Sequence, residues 1–329
     1  MKEVLVKKFG KEIFPNILDE KSSKFIELPE SFGVLGFAET NQYVPNPSEN
    51  YIFRKDAFRN ITMFLNKPHN HALWISGPTG SGKTSVITEI AARLNWPVFS
   101  ITANASLEAD DLIGRPMVVT VPGQQAPSVK FIYGPLSRAM KTGGIFLLNE
   151  VDLVNPGQLS GLNDVLEGRP LLIAQNGGEV IQPHPMFRVI VTANSKGSGD
   201  ETGQYAGICL QNIAALDRYR CLEVNYLSEE VEKAMMGKIF SNKIPEEIIG
   251  QMVKVAQKLR QLFLGNELCA PMSTRALCFW GALLLDYRGA PNALKEALEL
   301  SFTNRLPACE AAAVKTLCQQ MFGGADWLD

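Results

Sequence analysis

A chain of 329 residues, 46% of them hydrophobic, can bury a sizeable core and divide into one large domain and a smaller companion. With 32 basic against 34 acidic residues the formal net charge is -2, so no overall basic field points to nucleic acid or an anionic membrane. There is no 18-residue apolar run and no apolar leader at the amino terminus, and the six cysteines show no zinc-ligand spacing; the expectation is a cytoplasmic protein with free thiols.

In chain order, residues 1–53 read as an irregular lead-in, because Pro15, Pro29, Pro45 and Pro47 divide its apolar segments and residues 40–50 are rich in turn formers. Residues 54–67 have a helical period with Phe58, Ile61, Phe64 and Leu65 on one face. His69-Asn70-His71 reads as a turn, since two histidines without an acidic neighbour fall short of a metal-ligand set. An apolar run, Ala72-Leu73-Trp74-Ile75-Ser76, then predicts a strand, and residues 85–94 a helix. Between them lies Gly77-Pro78-Thr79-Gly80-Ser81-Gly82-Lys83-Thr84. Glycines at this spacing let backbone N–H groups turn inward, and the helix that follows adds its positive end, so the stretch is a P-loop for ATP. Residues Gly77 through Ser85 form the expected nucleotide-binding set; Lys83 would reach the β- and γ-phosphates and the Thr84 hydroxyl would ligate Mg²⁺.

Further buried strands are expected at 98–102, at 145–148 ending in Asn149-Glu150, at 189–194 and at 221–224. Alternation of such runs with helical segments predicts an α/β fold with a mostly parallel sheet, in which ligands collect at the carboxyl ends of the strands, where Asn149, Glu150 and Asn194 fall. Two β-hairpins interrupt this scheme, at about 117–132 with its tip near Gly123-Gln124-Gln125, and at about 171–182 around Asn176-Gly177-Gly178. Beyond Val224 the pattern is helical, with four or five helices; Ser228 is suited to cap the first, and Ser273 or Thr274 a later one. The expected division is a lead-in over 1–53, an αβα core over 54–226 and a helical lid over 227–329.

Several phrases, in unbroken order, resemble the AAA+ ATPases of the MoxR group, and within it the CobS-type subunits of aerobic cobaltochelatases. They are Tyr51-Ile52-Phe53, the P-loop, Ala92-Arg93-Leu94-Asn95-Trp96-Pro97, Asp111-Leu112-Ile113-Gly114 and Asn149-Glu150-Val151-Asp152. Val165-Leu166-Glu167, Pro183-His184-Pro185, Phe187-Arg188, Thr192-Ala193-Asn194 and Leu216-Asp217-Arg218 follow. The resemblance implies a three-layer αβα P-loop NTPase, with the hairpins as helix-2 and pre-sensor-1 inserts, followed by a helical lid. It also implies a homo-oligomeric ring, a hexamer, with ATP and Mg²⁺ between neighbouring subunits. A von Willebrand factor A-domain partner and chaperone-like remodelling or loading of a protein client belong to the same expectation, as in the chelatases, where a separate large subunit inserts cobalt.

By the same resemblance Glu150 activates or orients the attacking water and Asn194 is sensor 1. Arg218 is the arginine finger acting on the neighbour's ATP, with Arg220 its alternative, and Arg275 is sensor 2. Asp152 would orient the Glu150 loop or touch the adjacent subunit. Asn149 departs from the pattern, which has Asp at this place to hold Mg²⁺ through its water shell. Asn keeps an acceptor oxygen and loses the charge that a hard dication prefers. Two other readings therefore stay open: a nucleotide-gated assembly module with little hydrolysis, and a nucleic-acid-directed AAA+ motor. The near-neutral charge and the lack of a basic, aromatic-rich groove stand against the second.

Overall fold

The amino-terminal prolines separate short strands instead of preventing them. In the computed structural model, which describes residues 5–9, 13–120, 127–199, 203, 207–241 and 243–323, the lead-in carries β1 (Leu5–Phe9), β2 (Ile17–Asp19), β3 (Lys24–Ile26), β4 (Gly33–Phe37) and β5 (Phe53–Arg54). β1 pairs with β4 antiparallel, and β2 lies between antiparallel β3 and parallel β5. Ile17, Leu18 and Phe53 of β2 and β5 are fully buried, and so is Phe14 just before them. Phe14 and Phe53 stack edge-on at 5.2 Å, and both meet Phe58 of the helix Lys55–Asn66. Gly36 lets β4 approach the end of the P-loop helix, since a Cβ there would stand 2.4 Å from the Leu94 carbonyl oxygen.

The five expected strands form one parallel sheet: β6 (Ala72–Ser76), β7 (Val98–Thr102), β10 (Gly144–Asn149), β13 (Phe187–Ala193) and β14 (Tyr219–Glu223), in the order β14-β6-β13-β10-β7. Alternation along each strand sends side chains to both faces. Leu73, Ile75, Ile145 and Leu147 pack with the helices Lys55–Asn66 and Lys83–Leu94, while Trp74, Phe146 and Leu148 pack on the opposite side with Leu136 and Met140. Both faces are thus dry, which is why these segments read as continuous apolar runs. The order also sets β13 between β6 and β10, bringing Asn194, Ser76 and Asn149 to one end of the sheet.

Both hairpins are present. β8 (Gly114–Val119) pairs with β9 (Ser128–Tyr133); the expected tip at Gly123-Gln124-Gln125 lies outside the described residues. β11 (Leu171–Ile173) pairs with β12 (Glu179–Ile181), and Gly177 and Gly178 turn between them with φ of 66° and 77°. The two inserts are tied together: the Tyr133 hydroxyl donates to Glu179 at 2.7 Å, and the Lys141 ammonium donates to the same carboxylate at 2.8 Å.

The carboxyl-terminal region is helical, with helices Glu229–Phe240, Glu246–Leu264, Thr274–Asp286, Ala293–Ser301 and Ala308–Phe322. Ser273 caps the third, accepting from the Ala276 N–H at 3.1 Å, whereas Ser228 stands at the start of the first without a capping bond. Leu18 and Ile52 of the lead-in belong to this region's apolar cluster, so the lead-in bridges core and helical region. No helix among the described residues is long and apolar enough to cross a membrane, and all six cysteines are free.

A buried ion pair fixes the helices to one another. Arg260 donates to Glu232 from two nitrogens, at 2.7 and 2.8 Å, and its Nε donates to the Met272 carbonyl oxygen at 2.8 Å. Thr274 and Gln257 donate to the same carboxylate. Removing one partner leaves a charge without water or counterion, so Arg260→Met is expected to cost about 3–5 kcal/mol in urea unfolding. The double replacement Glu232→Gln with Arg260→Met is expected to be less destabilised than Arg260→Met alone; equal stability of Arg260→Met and wild type would contradict this account.

Candidate active site

β6 ends at Ser76, and the chain passes through Gly77–Gly82 into the helix Lys83–Leu94. Two glycines are required by both conformation and space. Gly77 has φ 147° and faces the Val224 carbonyl oxygen, 2.1 Å from where a Cβ would stand. Gly80 has φ 68°, and a Cβ there would lie 2.5 Å from the Ser273 side chain and 3.5 Å from that of Arg275. The loop is therefore pressed against the helical region. Gly82 begins the helix without any side-chain cap, which leaves first-turn amides directed at the loop. Ser85 is exposed in that first turn.

Lys83 is buried within the loop. Its ammonium donates to the Gly77 carbonyl oxygen at 2.6 Å, the Pro78 carbonyl oxygen at 3.0 Å and Asn194 Oδ1 at 2.9 Å. Burial lowers its pKa to about 8, although the charges of Glu150 and Asp152 oppose the shift. All three acceptors are neutral, and the buried Ser81 hydroxyl has no hydrogen-bond partner among the described residues. A polyphosphate supplies what both lack, so the cradle fits the phosphates of ATP.

Asn194 joins the loop to the next strand end. Its Nδ2 donates to Glu150 Oε2 at 2.8 Å while its Oδ1 accepts from Lys83, and these two partners fix which way the amide points. Glu150 itself occupies the left-handed region at φ 58°, ψ 39°, a conformation that costs a non-glycine residue about 1–3 kcal/mol and marks a constrained position. Asp152 is fully buried beneath this pair. Its Oδ2 accepts from the backbone N–H groups of Asn194 at 2.8 Å and Ser195 at 2.9 Å, so it holds the backbone at the end of β13.

Asn149 Oδ1 accepts from the Thr84 hydroxyl at 2.9 Å and the Thr192 hydroxyl at 3.2 Å. Thr84 and Asn149 are thus adjacent neutral oxygen donors of the kind that hold Mg²⁺ beside phosphates, and the described residues contain no cluster of three or more His, Cys, Asp or Glu that could hold a metal. Arg275 stands at the loop through its contact with Gly80. Arg218 lies just before β14, beside Ala72 at the end of β6 opposite the P-loop, and its Nε donates to Glu167 at 2.6 Å. Arg220 is committed to the backbone, donating to the Lys67 and Pro68 carbonyl oxygens at 2.8 and 2.9 Å. Tyr226 is a site neighbour that sequence reading missed: its hydroxyl donates to the Thr79 carbonyl oxygen at 2.6 Å, and Arg260 lies over its ring at 4.2 Å. A tyrosine just beyond a strand carries no local signal of that contact. Beside it, a cavity of about 420 Å³ separates the loop and Asn194 from the helix Glu246–Leu264.

Comparison with known proteins agrees with this geometry. The AAA domain of the dynein-related subfamily matches residues 72–206, and the CbbQ/NirQ/NorQ C-terminal family matches residues 239–320. The aerobic cobaltochelatase subunit CobS of Sinorhizobium sp is 30% identical over 313 residues, covering 91% of this chain and 90% of its own. The chain belongs to the CobS/MoxR-type AAA+ ATPases. An uncharacterized protein of Staphylococcus haemolyticus is 29% identical over 280 residues, or 80% of this chain and 99% of its own. A RuvB mutant of Thermotoga maritima superposes with a TM-score of 0.50 at 14% identity, covering 85% of this chain and 81% of that one, a likeness of fold alone. For an ATPase of this type the set Lys83, Asn149, Glu150 and Asn194 lies where phosphates are expected, at the carboxyl end of the sheet.

Lys83 gives this site a pH signature. The free amine, with its pKa near 8, loses its proton as the pH rises through that value, and a bound phosphate raises the pKa back toward the ordinary 10.5. Nucleotide binding at pH 9 is therefore expected to take up a proton and to weaken as the pH rises further. Calorimetry in buffers of different ionisation enthalpy measures the uptake, and its absence at pH 9 would contradict the assignment.

Proposed function

We propose that this chain hydrolyses ATP within a homo-oligomeric ring and uses the turnover to remodel or load a protein client. The observation that carries the reading is the single Asn194 amide held between Lys83 and Glu150 and pinned from below by Asp152. That arrangement gathers an ammonium, an amide and a carboxylate around one point at the end of the sheet, as phosphoryl transfer to water requires. Glu150 orients the water and accepts its hydrogen bond; Asn194 fixes the carboxylate that does so. Lys83 and the amides of the helix N-terminus stabilise charge on the phosphoryl oxygens. Thr84 and Asn149 would hold Mg²⁺, whose charge offsets that of the phosphates. Arg218, turned away from its own site, acts on the ATP of the neighbouring copy.

Coupling to a client follows from the contact of the loop with the helical region, taken as a lid from residue 227 onward. Gly80 abuts Ser273 and Arg275, and Tyr226 bonds Thr79, so nucleotide that shifts the loop must also move the lid. The resemblance to the MoxR group suggests the setting, a hexameric ring with a von Willebrand A-domain partner that remodels or loads a client, and the relative described as an aerobic cobaltochelatase subunit makes a chelatase-like role one form of it. The amide at Asn149 favours a second reading, in which nucleotide binding closes the assembly and hydrolysis is slow.

Steady-state Mg²⁺-ATP turnover across a protein concentration series distinguishes these readings. Turnover per subunit is expected to rise with concentration and to fall about 10²- to 10⁴-fold in Glu150→Gln, while that variant still binds a fluorescent ATP analogue. Equal turnover in Glu150→Gln and wild type would remove Glu150 from the mechanism. Asn149→Asp is expected to lower the Mg²⁺ concentration that gives half-maximal turnover. An increase in its maximal rate of tenfold or more would favour the slow, nucleotide-gated reading for the natural protein.

A further inference from the structure

We infer that Glu167 is the positioning residue for Arg218, setting the finger in place before a neighbouring subunit arrives; this rests on the reading of Arg218 as acting in trans. Arg218 leaves the short helix Ile213–Leu216 just before β14, with 29% of its side chain exposed. Its Nε donates to Glu167 Oε1 at 2.6 Å and its Nη1 to the Ala214 carbonyl oxygen at 2.5 Å, while its Nη2 makes no hydrogen bond among the described residues. The other carboxylate oxygen, Oε2, pairs with Arg169 at 2.7 Å.

This is not the two-nitrogen, two-oxygen clasp by which a carboxylate sequesters a guanidinium. Two of the three nitrogens of Arg218 are fastened, and Nη2 is left without a hydrogen bond among the described residues. Glu167 shares its second oxygen with Arg169, which Asp164 also pairs at 3.1 Å, so the carboxylate is braced from the side away from Arg218. Glu167 is itself rigid, because it follows Val165 and Leu166, both buried in the core, and its backbone N–H donates to the Asn163 carbonyl oxygen at 3.2 Å. The restraint reaches Arg218 from a separate, well-packed element. A flexible arginine would lose rotamer freedom on meeting the neighbour's ATP; a pre-set one loses less, which favours the transition state. Leu210 and Ile213, on the segment that leads to Arg218, are 67% and 83% exposed, apolar surface suited to cover by a second copy.

The test is turnover in mixed assemblies. Glu167→Ala is expected to lower kcat about 10- to 100-fold with KM for ATP nearly unchanged, and to assemble with a non-hydrolysable ATP analogue as wild type does in mass photometry. Its own ATP site is intact, so mixing it with Lys83→Ala subunits, which bind no nucleotide but present Arg218 and Glu167 normally, is expected to restore turnover. Arg218→Ala mixed with Lys83→Ala is the control. Rescue of Arg218→Ala without rescue of Glu167→Ala would overturn the proposal and leave the finger reading standing. Failure to rescue Arg218→Ala would overturn the finger reading itself, and unaltered kcat in Glu167→Ala would overturn the role of Glu167. Glu167→Gln, which keeps an acceptor for Nε, is expected to retain most of the turnover, and a loss as large as that of Glu167→Ala would overturn positioning through the Nε bond. Glu167→Leu replaces Glu167→Ala in the same mixtures should the alanine variant not fold.

Discussion

The hydrogen bonds from Lys83 to Asn194 and from Asn194 to Glu150 join the ends of three elements, the P-loop helix, β13 and β10. Each partner is placed by a different constraint. Lys83 is held by the helix that follows the loop, Asn194 by the two backbone bonds to Asp152, and Glu150 by a left-handed backbone that turns its side chain across the end of β10. Because a buried amine without acceptors would be costly, the network also keeps the loop folded around itself. The arrangement that fits phosphate is thus also the one that satisfies the loop.

The loop is coupled outward by contacts that leave no spare room. Gly80 meets Ser273, Gly77 meets Val224 and Tyr226 bonds Thr79, so three points of the loop touch the segments leading into or lying within the helical region. On the far side of Tyr226 the buried Arg260–Glu232 pair ties together the helices Glu229–Phe240 and Glu246–Leu264 and reaches Met272 beside Ser273. The loop therefore abuts a unit held together by a buried ion pair. The lead-in contributes to the same coupling, since Ile17 and Phe53 pack with the sheet while Leu18 and Ile52 pack with the helical region.

Asn149 sits where these demands meet. Its Oδ1 accepts from two hydroxyls, Thr84 and Thr192, and Thr192 in turn accepts from the Glu150 backbone N–H at 3.3 Å. A neutral amide satisfies these donors without adding a third carboxylate beside Glu150 and Asp152, which lowers mutual repulsion in the absence of a cation. The same neutrality weakens the hold on a hard divalent ion.

Local pattern sufficed for the strands that are dry on both faces, for the glycine-rich turn, for both hairpins and for the helical carboxyl-terminal region, because each carries its own period or turn chemistry. The lead-in was not legible that way: β2 and β3 are three residues long and β5 two, too short to show alternation, and the packing of Phe14 and Phe53 on Phe58 is a contact across the chain that no local pattern encodes. At the site, sequence order and resemblance to a family named Lys83, Asn149, Glu150 and Asn194, whose residue types suit the chemistry. That Asn194 bridges Lys83 and Glu150, that Asp152 lies beneath it, and that Glu167 fastens Arg218 follow from contacts spanning 42 to 111 residues. Such contacts are set by which strands become neighbours and how the crossovers return, a property of the folded sheet that no local period encodes.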